Sequence, residues 1–116
     1  MNHFSGDLPS DIANITVLKL LNVHNNYITG DIAPQLGALV NLEQLDLSRN
    51  SFTGKIPWSF GNFSYLNKLI LNNNLLTREI PKSIRNLQEL TFLTSLTSLN
   101  ISYNNFSSPT LVTPFF

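Results

Sequence analysis

Apolar and polar positions alternate in short stretches along this chain, and the stretches recur at a fixed spacing. Leu18, Leu42 and Leu66 each open a unit with the pattern L-x-x-L-x-(L/V)-x-x-N, and the units lie 24 residues apart. Further apolar positions follow each asparagine at matching places. A fixed period of this kind indicates a stacked solenoid, in which each unit buries its apolar residues against its neighbours.

The L-x-L step of each unit predicts a short strand. Side chains of a strand alternate between its two faces, so Leu21 and Val23 are expected to point inwards while Leu20, Asn22 and His24 point outwards. One such strand per unit, stacked in parallel, would form a sheet along the inner curve, called the concave sheet below.

An asparagine ends each repeated strand pattern. These residues are Asn2, Asn26, Asn50, Asn74 and, after a longer interval, Asn104. The chain turns away from the concave sheet at this point, and a buried side-chain amide can bond the backbone groups that a turn leaves unpaired. We therefore predict a structural ladder of asparagines.

The second half of the unit carries a G-x-(I/L)-P step, at residues 6–9 and 54–57. With the asparagine pattern, this step resembles the plant-type leucine-rich repeat of receptor-like kinase and receptor-like protein ectodomains and of polygalacturonase inhibitors. Residues 98–107 and 113–116 resemble the last repeat of such an ectodomain, in particular that of the root growth factor peptide-hormone receptors. The resemblance implies an α/β solenoid of about four to five repeats, with parallel strands on the concave face and a 3-10 or irregular back.

The repeats predict a single domain over residues 1–116. It consists of a partial first repeat (1–17), three full repeats (18–41, 42–65 and 66–89) and an irregular last repeat (90–116). The interval from Asn74 to Asn104 exceeds the period by six residues, so we expect a bulged or helical excursion between Leu87 and Leu96. Arg78 replaces the repeated glycine.

Composition limits the classes of partner and the location. Seven basic and seven acidic residues give zero net charge, so nothing favours nucleic acid or an anionic membrane as a partner. No apolar run reaches the ~18 residues of a membrane span, and the polar start lacks the features of a signal peptide. Cysteine is absent, whereas similar ectodomains usually carry cysteine-containing caps. We therefore expect a truncated fragment of a longer receptor that is anchored in the plasma membrane; the resemblance implies an extracellular or plasma-membrane location.

The outward positions of the concave sheet are the candidate binding surface, because solenoids commonly bind partners on this face. The candidates are Asn22, His24, Asp46, Ser48, Arg49, Lys68, Ile70, Asn72, Asn100 and Tyr103. Their mixed polar character suits an extended peptide or a protein loop, and Arg49 or Lys68 can engage a carboxylate or sulfate. The alternative is that these are solvated strand residues without a ligand. The paired arginines or R-x-G-G step of similar hormone receptors is absent.

The sequence gives little support for a catalytic site or a metal site. His24, Ser48 and Asp46 are expected close together, but a Ser-His-Asp triad also needs a pocket and an oxyanion site, and an open sheet supplies neither. Two histidines without cysteine match no metal-ligand spacing. We predict a protein that is not an enzyme and has no metal or small-molecule cofactor.

Four N-x-(S/T) sequons are possible glycosylation sites: Asn14, Asn62, Asn100 and Asn105. Chance alone predicts almost as many in a chain so rich in asparagine, serine and threonine, so the sequons are weak evidence for secretion. Asn62 is expected on the accessible back, and a glycan on Asn100 would block the concave face.

Three functions remain open. The first is a recognition module, derived from a plant receptor ectodomain, that binds a peptide or a protein such as another leucine-rich repeat protein. The second is a truncated product with no dedicated ligand, and the third is an enzyme-inhibitor-like protein.

Overall fold

The computed structural model describes residues 3–84, 96 and 98–107. The strands in these ranges are β1 (Ser5–Asp7), β2 (Leu20–Asn22), β3 (Tyr27–Asp31), β4 (Gln44–Asp46), β5 (Ser51–Thr53), β6 (Lys68–Ile70), β7 (Thr77–Arg78), β8 (Ser98–Asn100) and β9 (Asn105–Phe106). The 3-10 helices are η1 (Ser10–Asn14), η2 (Pro34–Ala38) and η3 (Trp58–Asn62), and residues 82–84 form a short helical turn. The described residues therefore repeat a series of strand, strand and helical turn.

The concave sheet is parallel, with strand order β2, β4, β6, β8. Leu21 pairs with Leu45, Leu45 with Leu69, and Leu69 with Leu99, so the repeated leucines lie side by side across the sheet. The interval from Leu69 to Leu99 is longer in sequence than the other two intervals. The excursion expected between Leu87 and Leu96 falls, except for Leu96 itself, outside the described residues.

A second parallel sheet, with strand order β1, β3, β5, was not predicted from the sequence. Its strands begin just after the repeated asparagines, and backbone bonds carry it further: the N–H of Leu75 donates to Phe52 O at 2.9 Å and that of Thr77 to Gly54 O at 2.7 Å. β7 then pairs with β9 in parallel. The solenoid therefore has a sheet on its flank as well as on its inner curve.

The asparagines at the edge of the concave sheet join neighbouring units. The amide nitrogen of Asn50 donates to the carbonyls of Leu47 and Ser48 in its own turn and to Val23 of the preceding unit, at 2.9 to 3.2 Å, while its oxygen accepts the N–H of Ile28. Asn74 and Asn104 make the corresponding bonds one unit further on. Asn26 bonds Phe4 N–H and the carbonyls of Val23 and His24. Asn2 lies outside the described residues.

Prolines start the back of each unit, and small residues let the back stack. Pro9 and Pro57 precede η1 and η3 in extended conformation, and Pro34 is the first residue of η2, where its missing N–H costs nothing. Ser59 Oγ donates to Pro34 O and Ser83 Oγ to Trp58 O, each at 2.7 Å. These serine bonds connect consecutive units along the back, opposite the asparagines.

The core lies between the concave sheet, the flank sheet and the 3-10 turns. Its fully buried side chains include Leu45, Phe52 and Phe60, which come from different faces of one unit, and Leu69, which occupies the position of Leu45 in the next unit. Because every unit contributes the same set, the core is continuous along the solenoid axis. This continuity fixes which side chains remain outside on the concave sheet.

Candidate binding surface

A shallow depression of about 330 Å³ crosses the concave sheet from β2 to β8. Its lining includes the outward side chains of successive strands: Leu20, Asn22, Gln44, Asp46, Lys68, Ile70 and Ser98. The structure therefore brings together four of the ten predicted site residues, namely Asn22, Asp46, Lys68 and Ile70. Leu20, Gln44 and Ser98 were not among the predicted set, although their outward strand positions carried the signal that would have found them.

Three polar residues at the ends of these strands also hold the backbone. The side-chain oxygens of Asn22, Asp46 and Asn100 accept the N–H two residues further on, at 2.9, 3.0 and 3.1 Å. Ile70 occupies the equivalent place in its unit and has no such group. The accepting oxygen of each of these three residues is thus engaged in the turn. The amide nitrogens of the two asparagines and the second carboxylate oxygen of Asp46 are left for solvent or a ligand.

His24, Ser48 and Asp46 form a hydrogen-bonded chain with the wrong order for catalysis. His24 Nδ1 lies 2.7 Å from Ser48 Oγ, and Ser48 Oγ lies 2.5 Å from Asp46 Oδ1. In a hydrolytic triad the histidine stands between serine and acid, whereas here the serine stands in the middle. Its hydroxyl is directed at the carboxylate and Ser48 is only 2% exposed, so it cannot act as an exposed nucleophile.

That burial also corrects the position expected for Ser48. The sequence pattern places it on the outer surface, but the residue lies beneath the surface and contacts His24 and Asp46 instead. The strand has already ended at Asp46, so strict alternation no longer decides which way the side chain points. Ser48 can therefore serve a ligand only through the exposed ring of His24.

The remaining predicted residues lie beyond the depression, at the turn that follows each strand. Arg49 and Tyr103 are exposed and have positive φ, at 54° and 56°. Asn72 donates from Nδ2 to Asn73 Oδ1 at 2.7 Å, and its own Oδ1 is buried without a partner among the described residues. Their role in binding stays a prediction.

All four sequon asparagines are exposed. Asn14 and Asn62 end η1 and η3 on the back, Asn100 ends β8 on the concave sheet, and Asn105 begins β9. Whether any of them carries a glycan stays a prediction.

Within residues 3–84, 96 and 98–107, no helix is both long and apolar enough to cross a membrane. The same ranges hold no group of three or more histidine, aspartate or glutamate side chains placed to hold a metal ion.

The sequence matches two family models: Leucine Rich repeats (2 copies) over residues 16–59, and Leucine Rich Repeat over residues 65–87 and 95–115. The chain therefore belongs to the leucine-rich repeat family. Its repeats are of the plant type that builds receptor-kinase ectodomains. No curated protein sequence matches it significantly.

Solved structures of plant receptors share the fold. A TDR receptor is 38% identical with a TM-score of 0.83, covering 90% of this chain and 17% of that chain. The plant peptide hormone receptor RGFR1, in complex with RGF2, is 31% identical with a TM-score of 0.83, covering 90% and 16%. The BIR3–SERK2 complex from Arabidopsis thaliana gives 31% identity, a TM-score of 0.79 and coverage of 89% and 52%. The chain thus spans about half of the shorter relative and about a sixth of the receptors.

Proposed function

We propose that this chain is a recognition module whose concave sheet binds an extended peptide or a protein loop. The observation that carries the proposal is the depression across β2, β4, β6 and β8, which combines an exposed apolar edge at Leu20 with the charges of Asp46 and Lys68. Similar receptors have been solved with a peptide hormone, as RGFR1 with RGF2. That likeness supports a peptide ligand here.

The charges favour a ligand with both polar and acidic groups. Lys68 is exposed and pairs across the sheet with Gln44. Two residues further along the same strands, Asp46 pairs with Ile70. A peptide lying across the strands can place a carboxylate at Lys68, a backbone N–H at the free oxygen of Asp46 and an apolar side chain between Leu20 and Ile70.

The length of the sheet sets the expected affinity. Four strands at a spacing of about 4.8 Å cover roughly 14 Å, which is the length of about four residues of extended peptide. So small a contact supplies few buried anchors, so we expect a Kd in the range of about 10 μM to 1 mM for the described surface by itself.

The test is a selection of random octapeptides on the purified chain, followed by titration of the selected peptides. We expect enrichment of peptides with an acidic residue, and about a tenfold weaker binding to Lys68→Glu, because an attraction becomes a repulsion. Lys82→Glu is the matched control: Lys82 is also an exposed lysine, but it lines a separate depression with Trp58 and Pro81.

Either of two results would contradict the proposal. The control is a variant whose concave-sheet residues are scrambled. If no peptide is enriched above the level seen with this control, the result favours a chain that has no dedicated ligand. If Lys82→Glu weakens binding while Lys68→Glu does not, the binding surface is the depression at Trp58 rather than the concave sheet.

A further inference from the structure

We propose that His24 is a hydrogen-bond acceptor site on the concave sheet, because Ser48 and Asp46 fix the tautomer of its ring. The ligand group that it takes is a donor: a hydroxyl or an amide N–H. This inference rests on the proposed function for the nature of the ligand, an extended peptide, but the tautomer is a property of the free protein.

The proton order follows from the contact between Ser48 and Asp46. Two oxygens 2.5 Å apart must share a proton, and an ionised carboxylate has none to give. The hydroxyl of Ser48 therefore donates to Asp46 Oδ1. Its oxygen keeps only lone pairs for the second contact, the one to His24 Nδ1 at 2.7 Å. Nδ1 must then carry a proton and donate it, and in the neutral ring Nε2 is left without one.

The groups that impose this order are held from several sides. Asp46 Oδ1 also accepts the backbone N–H of Ser48 at 3.0 Å, which fixes the oxygen that faces the hydroxyl. The Ser48 carbonyl accepts the N–H of Asn25 at 2.9 Å, and the N–H of His24 donates to Asn22 Oδ1. Ser48 is buried, so water does not compete for its hydroxyl.

The chain repeats part of this device elsewhere. Ser102 donates from both its N–H and its hydroxyl to Asn100 Oδ1, at 3.1 and 2.8 Å. An asparagine oxygen can thus replace the carboxylate without changing the direction of the serine hydroxyl. Only at Ser48 is the preceding unit's side chain a histidine, and there the device sets a tautomer.

The tautomer of His24 decides which ligand groups the concave sheet accepts at this position. The neutral side chain of histidine in water favours the tautomer with the proton on Nε2, in which the outward nitrogen would be a donor. In His24 the outward nitrogen has the opposite polarity; no described residue bonds it, and the ring is exposed. A carboxylate placed there would face a lone pair, so acidic groups are directed to Lys68 and donor groups to His24.

The first test needs no ligand. Long-range ¹H–¹⁵N correlation spectra of the whole chain, recorded in alkaline buffer where imidazole is neutral, distinguish protonated from unprotonated ring nitrogens. We expect His24 to show a protonated Nδ1 and an unprotonated Nε2. His3 stacks on Tyr27 and has no hydrogen bond to a serine among the described residues, so it is the internal reference and should show the common tautomer. A His24 spectrum with Nε2 protonated would overturn the inference.

Variants separate the tautomer from general packing. Ser48→Ala and Asp46→Ala should each return His24 to the spectrum of His3, whereas Asp46→Asn should keep the wild-type spectrum because the asparagine oxygen accepts as Asn100 does. If Asp46→Asn behaves like Asp46→Ala, the proton order is wrong. Because the three variants act at two positions, misfolding of one leaves the comparison intact, and the wild-type spectrum alone can refute the claim.

The second test uses the peptides selected on the concave sheet. His24→Gln keeps an acceptor oxygen and should bind within about threefold of wild type, whereas His24→Leu has no acceptor, adds no charge and should bind about tenfold more weakly, the cost of one unpaired polar contact. Equal binding by both variants would show that no donor reaches Nε2. Failure of peptide selection would count against the proposed function, and the spectra would still decide the tautomer.

Discussion

At the scale of single residues, the left-handed backbone conformation falls at two fixed places in the unit. The residue before each ladder asparagine has φ between 54° and 62°, and the residue of the G-x-I-P step has φ between 70° and 85°. Asparagine and glycine tolerate this conformation, and they fill most of these places. Arg49, Arg78 and Tyr103 adopt it because the stacking of the neighbouring units dictates the path of the chain.

Arg78→Gly should therefore stabilise the protein. A residue with a Cβ pays about 1–2 kcal/mol in this region, and glycine costs about 0.5–1 kcal/mol through the unfolded chain, so we expect a net gain of about 0.5–1 kcal/mol. That is a rise of about 2–6 °C in Tm for a chain of this size. Lys55→Gly, at an exposed residue outside the positive-φ set, should lower the Tm instead. A lower Tm for Arg78→Gly would show that strain there is not the dominant effect.

At the scale of elements, the helical turns on the back of consecutive units stack closely because one residue of each contacting pair is a glycine. A Cβ on Gly37 would lie 2.6 Å from Ser59 Cβ and 2.7 Å from the Ser59 carbonyl oxygen, and one on Gly61 would lie 2.5 Å from Ser83 Cβ. These glycines have no left-handed φ and are required by contact alone. The serine bonds of Ser59 and Ser83 exist because the backbones approach so closely.

Gly37→Ala should destabilise the protein by about 1–3 kcal/mol through overpacking between η2 and η3. In urea titrations, Ser59→Gly should recover part of this loss, because it removes the side-chain contact but not the contact with the carbonyl oxygen. Gly6→Ala is the control: its Cβ would meet nothing within 4 Å, so its cost comes from φ alone and should add independently to that of Ser59→Gly. Additive behaviour of Gly37→Ala and Ser59→Gly would contradict the proposed contact.

At the scale of the whole molecule, stability depends on coupling between adjacent units. Strand β4 pairs with β2 on one side and β6 on the other, whereas β2 is an outer strand of the described concave sheet. In such a stack the stability is a sum of terms for units and for interfaces, and a central defect weakens two interfaces at once.

Leu45→Ala should therefore do more than Leu21→Ala. Leu45 is completely buried in β4, and its truncation should cost about 3–5 kcal/mol, against about 2–3 kcal/mol for Leu21. Urea unfolding should also show a lower apparent m-value for Leu45→Ala, because the units on its two sides begin to unfold separately. Equal m-values in both variants would indicate that the units unfold together despite the central cavity.

Much of the fold is predictable because the strongest signals are local. The leucines of β2, β4, β6 and β8 announce their strands by alternation, and the asparagines mark each turn. The flank sheet gives no such signal: Ser51–Thr53 holds a single buried phenylalanine, and its pairing with β3 of the preceding unit is decided by how the units stack. Likewise, four of the predicted site residues line the depression, but the burial of Ser48 follows from the turn after the strand.

The sequence by itself determined the repeat, its family, the parallel concave sheet and the turns that need asparagine or glycine, since each of these is written in the spacing of residues within a unit. Tertiary structure alone decided the flank sheet, the strain on Arg78 and the direction of the hydrogen bonds from His24 to Asp46. These depend on distances of a few tenths of an ångström between different units, and such distances are set only when the units pack against one another.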